Sequence, residues 1–217
     1  MTRVSVYVEG KSDKLALERL LGAIVRERET LGVRIEFFAV PQRVGDAKVW
    51  LTTKLPVDAA RRLRVCGDEH IAVVPDLYPQ NKGIEHETAA QLRDGMRAAF
   101  EAELTRIAGG PDPRIAERFH TFCLKHDLEA LLLAARSSLA SVCGAKKIEQ
   151  VWAASVEDQN QDDPPRRVVE RVFADRGKQY RPVLDAPLVL GEDQLATVRT
   201  ACPECFEPFV KFVETVA

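Results

Sequence analysis

Apolar and polar positions alternate with a period of two at the start of the chain, where Val4, Val6 and Val8 are separated by Ser5 and Tyr7. That pattern predicts a strand with one buried face. Beyond Glu9-Gly10 the apolar spacing lengthens. Leu17, Leu20, Leu21, Ile24 and Val25 fall at i, i+3, i+4, i+7 and i+8, which predicts a helix with Ser12 as its cap. Val33–Val40 reads as a second strand closed by a turn at Pro41 and Gly45. Two helical stretches follow, Ala47–Leu55 and Val57–Cys66, split at Pro56 because proline has no N–H to donate. His70–Pro75 is a short apolar strand, and Pro79, Asn81 and Gly83 make the loop after it. Leu92, Met96, Ala99, Phe100, Leu104 and Ile107 line one side of a long helix over Glu87–Ala108, which Gly109-Gly110-Pro111 ends. Arg118–Lys125 is a fourth strand and Leu128–Ala135 a helix. Strand and helix alternate four times, the mark of an α/β fold: a small parallel sheet flanked by helices.

From Ser137 the pattern changes. The sequence predicts a short helix over Ile148–Ser155, a polar surface loop over Glu157–Pro165 and a helix over Arg166–Arg176. Near the end, Phe206, Phe209, Val210 and Val213 share a helical face, with Pro208 tolerated only in the first turn. The division expected is an α/β core at 1–136 and a mainly helical C-terminal elaboration at 137–217, packed on that core.

Composition changes this picture little. At 217 residues, 46% hydrophobic and 29% charged, the chain can bury a sizeable core without a metal or disulfide. A net charge of −2 gives no global basic field, so a nucleic-acid partner would need a local patch. Arg166, Arg167, Arg171, Arg176, Lys178 and Arg181, against only Glu170 and Asp175, supply the strongest such run. Arg61, Arg62 and Arg64 read as a solvated helix face. No long apolar run and no export signal occur, which predicts a cytoplasmic protein without membrane contact. Five cysteines then read as reduced thiols. Cys202-Pro203-Glu204-Cys205 has no second pair or following histidines, so it reads as two cysteines packed in a turn between helices.

The chemistry-bearing pattern is acidic. Glu9 with Asp13, Asp76, and Asp127 with Glu129 each stand just past an apolar strand. In a parallel sheet those ends share one edge, the edge where ligands bind. Converging carboxylates suit hard divalent cations such as Mg²⁺ or Mn²⁺, which can activate water and stabilise a leaving oxygen in phosphodiester hydrolysis. Local roles compete with this reading. Asp127 could cap the following helix, Glu129 and Asp13 could answer helix dipoles, and Asp76 could form a turn. Glu9 has no such local explanation. No phosphate-binding G-x-x-x-x-G-K-S/T and no G-x-S-x-G motif is present.

Glu9-Gly10-Lys11-Ser12-Asp13 resembles the opening motif of Toprim domains in the overcoming-lysogenization-defect nuclease group. Val74-Pro75-Asp76-Leu77-Tyr78 resembles their second acidic strand end, and His126-Asp127-Leu128-Glu129-Ala130-Leu131-Leu132 their H-E-x-E-A-L-L element. Cys202-Pro203 with Phe206 and Phe209 is similar to the closing C-P-x-F stretch of one branch, the domain-of-unknown-function family 4276. The resemblance implies a Toprim-like sheet with magnesium or manganese at its strand ends. It also implies nuclease action on DNA, as in bacterial antiphage systems that work with an ABC- or SMC-like ATPase partner. Carried over, Glu9 is the metal-adjacent acid or general base and Asp76 a shared ligand. Asp127 and Glu129 complete the site, Asp13 lies behind it or holds a second metal, and Lys178 stabilises phosphate charge. Arg166, Arg167, Arg171, Arg176 and Arg181 would face nucleic acid. Toprim domains carry Asp-x-Asp at the second motif, where this chain has Asp76-Leu77-Tyr78. That departure leaves open a catalytically weak adaptor that docks on the ATPase. Oligomeric state, a homodimer included, is also open.

Overall fold

The computed structural model describes every residue except 81, 154 and 160, and at Gln42 the backbone alone. Asn81 of the loop after Asp76 therefore lies outside the described residues. Four strands, β1 (Thr2–Val8), β2 (Val33–Ala39), β3 (Glu69–Val74) and β4 (Phe119–Thr121), form one parallel sheet in the order β2-β1-β3-β4. Among the described residues no helix is long and apolar enough to cross a membrane.

The alternation in β1 sorts the core into two layers. Val4, Val6 and Val8 face one layer together with Leu17, Leu20 and Leu21. Tyr7 faces the other, with Leu63, Ile71, Phe100 and Phe119. The first layer holds α1 (Lys11–Leu20) and α2 (Gly22–Thr30). The second holds α3 (Ala47–Val49), α4 (Leu55–Val65), α5 (Ala89–Ala108) and the short α6 (Pro113–Ala116). The C-terminal half adds α7 (Glu129–Ala134), α8 (Arg136–Cys143), α9 (Pro165–Ala174), α10 (Pro182–Val189), α11 (Leu195–Ala201) and α12 (Phe206–Thr215). Val168, Phe173, Phe206 and Phe209 from these helices join the layer of Val4 and Leu17, so the elaboration completes the first core.

Several local expectations are corrected. The first helix begins at Gly10 rather than Ser12: the Asp13 carboxylate accepts from the Gly10 N–H at 2.6 Å, the returning half of a capping box. It also breaks at Leu21, so one predicted helix is two. Pro56 does not split a helix pair. The backbone runs on through a wide π turn at Trp50–Lys54, where the Leu55 N–H bonds to Trp50 O, and Pro56 occupies the first turn of α4, where its missing N–H costs least. No helix forms over 148–153. There the Arg136 guanidinium donates to Ile148 O and Gln150 O and lies 4.0 Å from the Trp152 ring, holding that stretch open. The stretch expected as a surface loop contains a 3-10 turn, Val156–Asp158, with Glu157 buried. Cys202 and Cys205 do pack between α11 and α12, as free thiols.

Candidate functional site

The parallel order β1-β3-β4 brings the acid-bearing strand ends side by side. Glu9 follows β1 directly, and its Oε1 accepts from the backbone N–H of Asp76 at 2.9 Å, tying the ends of β1 and β3 together. Asp76 then pairs with Leu124: Leu77 N–H donates to Leu124 O at 2.6 Å and Leu124 N–H to Pro75 O at 3.0 Å. This extension of the β3–β4 ladder carries the chain to Asp127 and Glu129. Asp127 is not the cap of α7. Leu128 holds that position without any side-chain cap, and the Ala130 N–H bonds to the backbone oxygen of Asp127.

The electrostatics show that the five carboxyls share one environment. Burial pushes Glu9 up to about 7; the Asp76 N–H pulls it back and Asp13 adds to the rise. Burial followed by the charges of Glu9, Asp13, Asp127 and Glu129 raises Asp76 well above the carboxylate range, although the residue keeps a solvent-facing edge. Burial raises Asp13 too, with the Gly10 N–H opposing. Asp127 rises to about 6 and Glu129 to about 7, each through burial first; for Glu129 the Asp127 charge comes next. Asp127 Oδ1 is buried and, among the described residues, has no hydrogen-bond partner. The Tyr180 hydroxyl sits beside Glu129; burial and then Glu129 raise the hydroxyl's titration, while the hydroxyl lowers that of Glu129.

Two cations temper this cluster: Arg166, which the sequence reading set facing nucleic acid, and Lys48, which it did not single out. Lys48, on α3, is almost fully buried; its Nζ donates to Leu77 O at 2.7 Å and Pro79 O at 2.5 Å, and its charge falls on Glu9 and Asp76. Arg166 opens α9, ion-pairs with Glu170 at 3.2 Å and acts electrostatically on Asp13, Asp127 and Glu129. Lys178 lies elsewhere: its Nζ donates to Val142 O at the end of α8, next to Gly144, and it is not among the groups acting on the acids.

Each of the remaining arginines has a partner within the chain. Arg171 holds Asp163 through two bonds of 2.5 and 2.6 Å, Arg167 reaches Asp162 O, Arg176 donates to Lys147 O, and Arg181 lies 3.8 Å from Asp185. α9 turns Val168, Val169, Val172 and Phe173 inward, so Arg167 and Arg171 lie on its outer face, while Arg176 and Arg181 follow beyond its end. Arg62, read as solvated, in fact anchors the buried Glu69 and donates to the Tyr7 hydroxyl at 2.7 Å.

A cleft of about 480 Å³ opens beside the acids, lined by Tyr78, Lys125, His126, Glu157 and Asp158. The His126 and Tyr78 rings meet at a tilt of 34° with their centres 5.2 Å apart. Glu157 crosses its floor: Oε2 and Oε1 accept from the backbone N–H groups of Glu204 and Cys205 at 2.8 and 2.9 Å, securing the entry to α12. Among the described residues no group of three or more histidine, cysteine or acidic side chains is arranged so that it could hold a metal ion. The donor chemistry nevertheless suits a hard cation. The set is oxygen-only and mutually repelling, and among the described residues Asp127 Oδ1 lacks a partner.

No curated protein and no solved structure matches the chain. The sequence profile of the domain of unknown function DUF4276 matches residues 8–214, nearly the whole length, and the chain therefore belongs to that family.

Proposed function

We propose that the acidic strand edge is the active site of a Toprim-like, Mg²⁺- or Mn²⁺-dependent nuclease that hydrolyses DNA phosphodiesters. The observation that carries this reading is the gathering of Glu9, Asp13, Asp76, Asp127 and Glu129 from three strand ends into one electrostatic unit. Glu9, Asp76, Asp127 and Glu129 would hold the ion, with Asp13 partly committed to the Gly10 N–H. A bound divalent ion supplies an activated water and neutralises phosphate charge. The chain's own contribution is the alignment of Glu9 by the Asp76 N–H and a Glu9 carboxyl poised near neutrality to accept a proton. Arg166 is the cation best placed to meet a phosphate at this edge.

The test is incubation of the purified chain with supercoiled plasmid and single-stranded DNA plus Mg²⁺ or Mn²⁺. Nicking is expected, abolished by EDTA and reduced at least about a hundredfold in Glu9→Ala and Asp76→Ala. Equal cleavage by both variants would refute it. One observation favours a second reading, an adaptor that docks on an ATPase partner. Leu77, where Toprim domains place a residue between two aspartates, is packed in the second core layer, and Tyr78 after it lies tilted against the His126 ring instead of offering a carboxylate. Absence of cleavage, together with absence of any Mn²⁺-dependent rise in melting temperature, would select that reading.

A further inference from the structure

We propose that two copies of this chain pair edge to edge through β2, antiparallel about a two-fold axis at Ile35, making one continuous sheet. The proposal is independent of the chemistry at the acidic edge. β2 is an outermost strand of the sheet. Its ladder with β1 fixes which backbone groups are spent. Val40 N–H bonds to Val8 O and Thr2 N–H to Gly32 O, with Ala39 opposite Val8. In a parallel ladder the even-numbered residues of β2 therefore turn their N–H and C=O toward β1. Val33, Ile35, Phe37 and Ala39 turn theirs outward, and among the described residues no backbone bond outside the sheet involves them. Neither proline nor lysine protects the strand, and its seven-residue register with β1 is unbroken by a bulge.

The side chains select the register. Arg34 and Glu36 stand on the exposed face and pair with each other at 2.8 Å in the single chain. Antiparallel pairing centred on Ile35 puts Arg34 directly opposite the partner's Glu36, twice over by symmetry. The same centre makes Ile35 opposite itself and Val33 opposite Phe37 the hydrogen-bonded pairs, which is possible because those residues have outward backbone groups. A centre on Arg34 or Glu36 would also hydrogen-bond odd-numbered residues to one another, but it would set that charge opposite its own copy. The flanks agree. Phe38, 37% exposed, comes to lie over the partner's Gly32, a residue at φ +82° with nothing within 4 Å of where a Cβ would stand. Leu31, 63% exposed, meets the partner's Ala39. A groove of about 370 Å³ runs along this edge, lined by Val25, Ile35, Phe37 and Phe38 with the opposed charges of Lys14, Glu18 and Arg26.

The experiment is light scattering and sedimentation of the full chain across a concentration series, with Arg34→Glu, Glu36→Arg and the double swap. All three alter exposed positions, and circular dichroism on each checks the fold. The wild type is expected to dimerise. Each single swap sets like charges opposite one another and should raise the dimer Kd about tenfold, and the double swap should restore it. A wild type that stays monomeric throughout, or a dimer indifferent to the single swaps, would overturn the proposal.

Discussion

Glu157 shows how much a single side chain carries that its local sequence conceals. It stands among Asp158, Gln159 and Gln161–Asp163, a stretch that reads as solvated, yet its carboxylate is buried and its two oxygens are occupied by the N–H groups of Glu204 and Cys205. Those partners lie 47 and 48 residues away, and no local pattern announces them. Removing the carboxylate leaves two N–H groups at the start of α12 without an acceptor, so Glu157→Ala should cost about 2 kcal/mol, or roughly 4–8 °C of melting temperature. Glu157→Gln keeps one acceptor and should lose less. Thermal denaturation followed by circular dichroism decides it; equal melting of Glu157→Ala and wild type would show that the bonds contribute nothing net. Lys48 is the same lesson in reverse. A lysine on a short polar helix reads as solvent-facing, and only the fold shows its Nζ buried against two carbonyls beside the acids. The acids themselves were legible because strand ends are legible: an apolar run of period two stops at Glu9 and a continuous apolar run at Asp76, and a parallel sheet sets those stops on one edge.

Among the elements, strands and the helices of strong amphipathic period follow from the sequence, whereas boundaries set by tertiary contacts do not. α10 packs on α1, and its Asp185 caps it through the Arg181 N–H at 2.6 Å, but Pro182 and Pro187 disguise the helix. The adjoining strands β3 and β4 place His70 and His120 in register neighbourhood, with Nδ1 of one 3.0 Å from Nε2 of the other. One ring must donate and the other accept, so at most one of the two can be charged while the bond persists. Burial, then the neighbouring His70 and Arg97, hold His120 down at about 4; burial and Arg118 lower His70. The unfolded chain takes up protons on both rings below about 6.5, while in the folded chain His120 resists until near 4 and His70 is also held below its ordinary value. Stability from this pair is therefore present above about pH 6.5 and lost as pH falls toward 4, by on the order of 2–3 kcal/mol for His120. Glu9, Asp127 and Glu129 act in the opposite sense. Their raised folded values make the native state gain protons first, so acidification toward the ordinary carboxylate range relieves their repulsion. The histidine contribution is isolated by difference: urea unfolding of His120→Gln against wild type should give a shallower loss of stability between pH 6.5 and 4. Parallel curves would exclude the pair as the source.

At the scale of the molecule, the sheet is the shared wall of two cores, and this decides how the chain unfolds. One layer contains residues from both ends of the sequence, Val4 and Leu17 with Phe206 and Phe209; the other is built from residues between Val40 and Phe119, joined by Cys123 and Cys205. Val6 and Tyr7, adjacent in β1, point into opposite layers, so neither layer can melt without removing the strand that backs the other. The chain contains two tryptophans, and they fall on opposite sides: Trp50 packs on the second layer and Trp152, under the Arg136 guanidinium, on the first. Trp50→Phe and Trp152→Phe thus yield two proteins, each with one fluorophore reporting one layer. In urea the two emission transitions should coincide with each other and with circular dichroism for the same variant, because a common wall makes opening of one layer opening of both. Two separated transitions within one variant, one by fluorescence and one by dichroism, would instead mean that the C-terminal helices detach as a unit. Detachment would uncover Leu131, Leu132 and Leu133 of α7, and with them loosen the seat of Asp127 and Glu129. The acidic edge is then only as stable as the packing of α9 and α12 behind it, and binding at that edge should raise both transitions together.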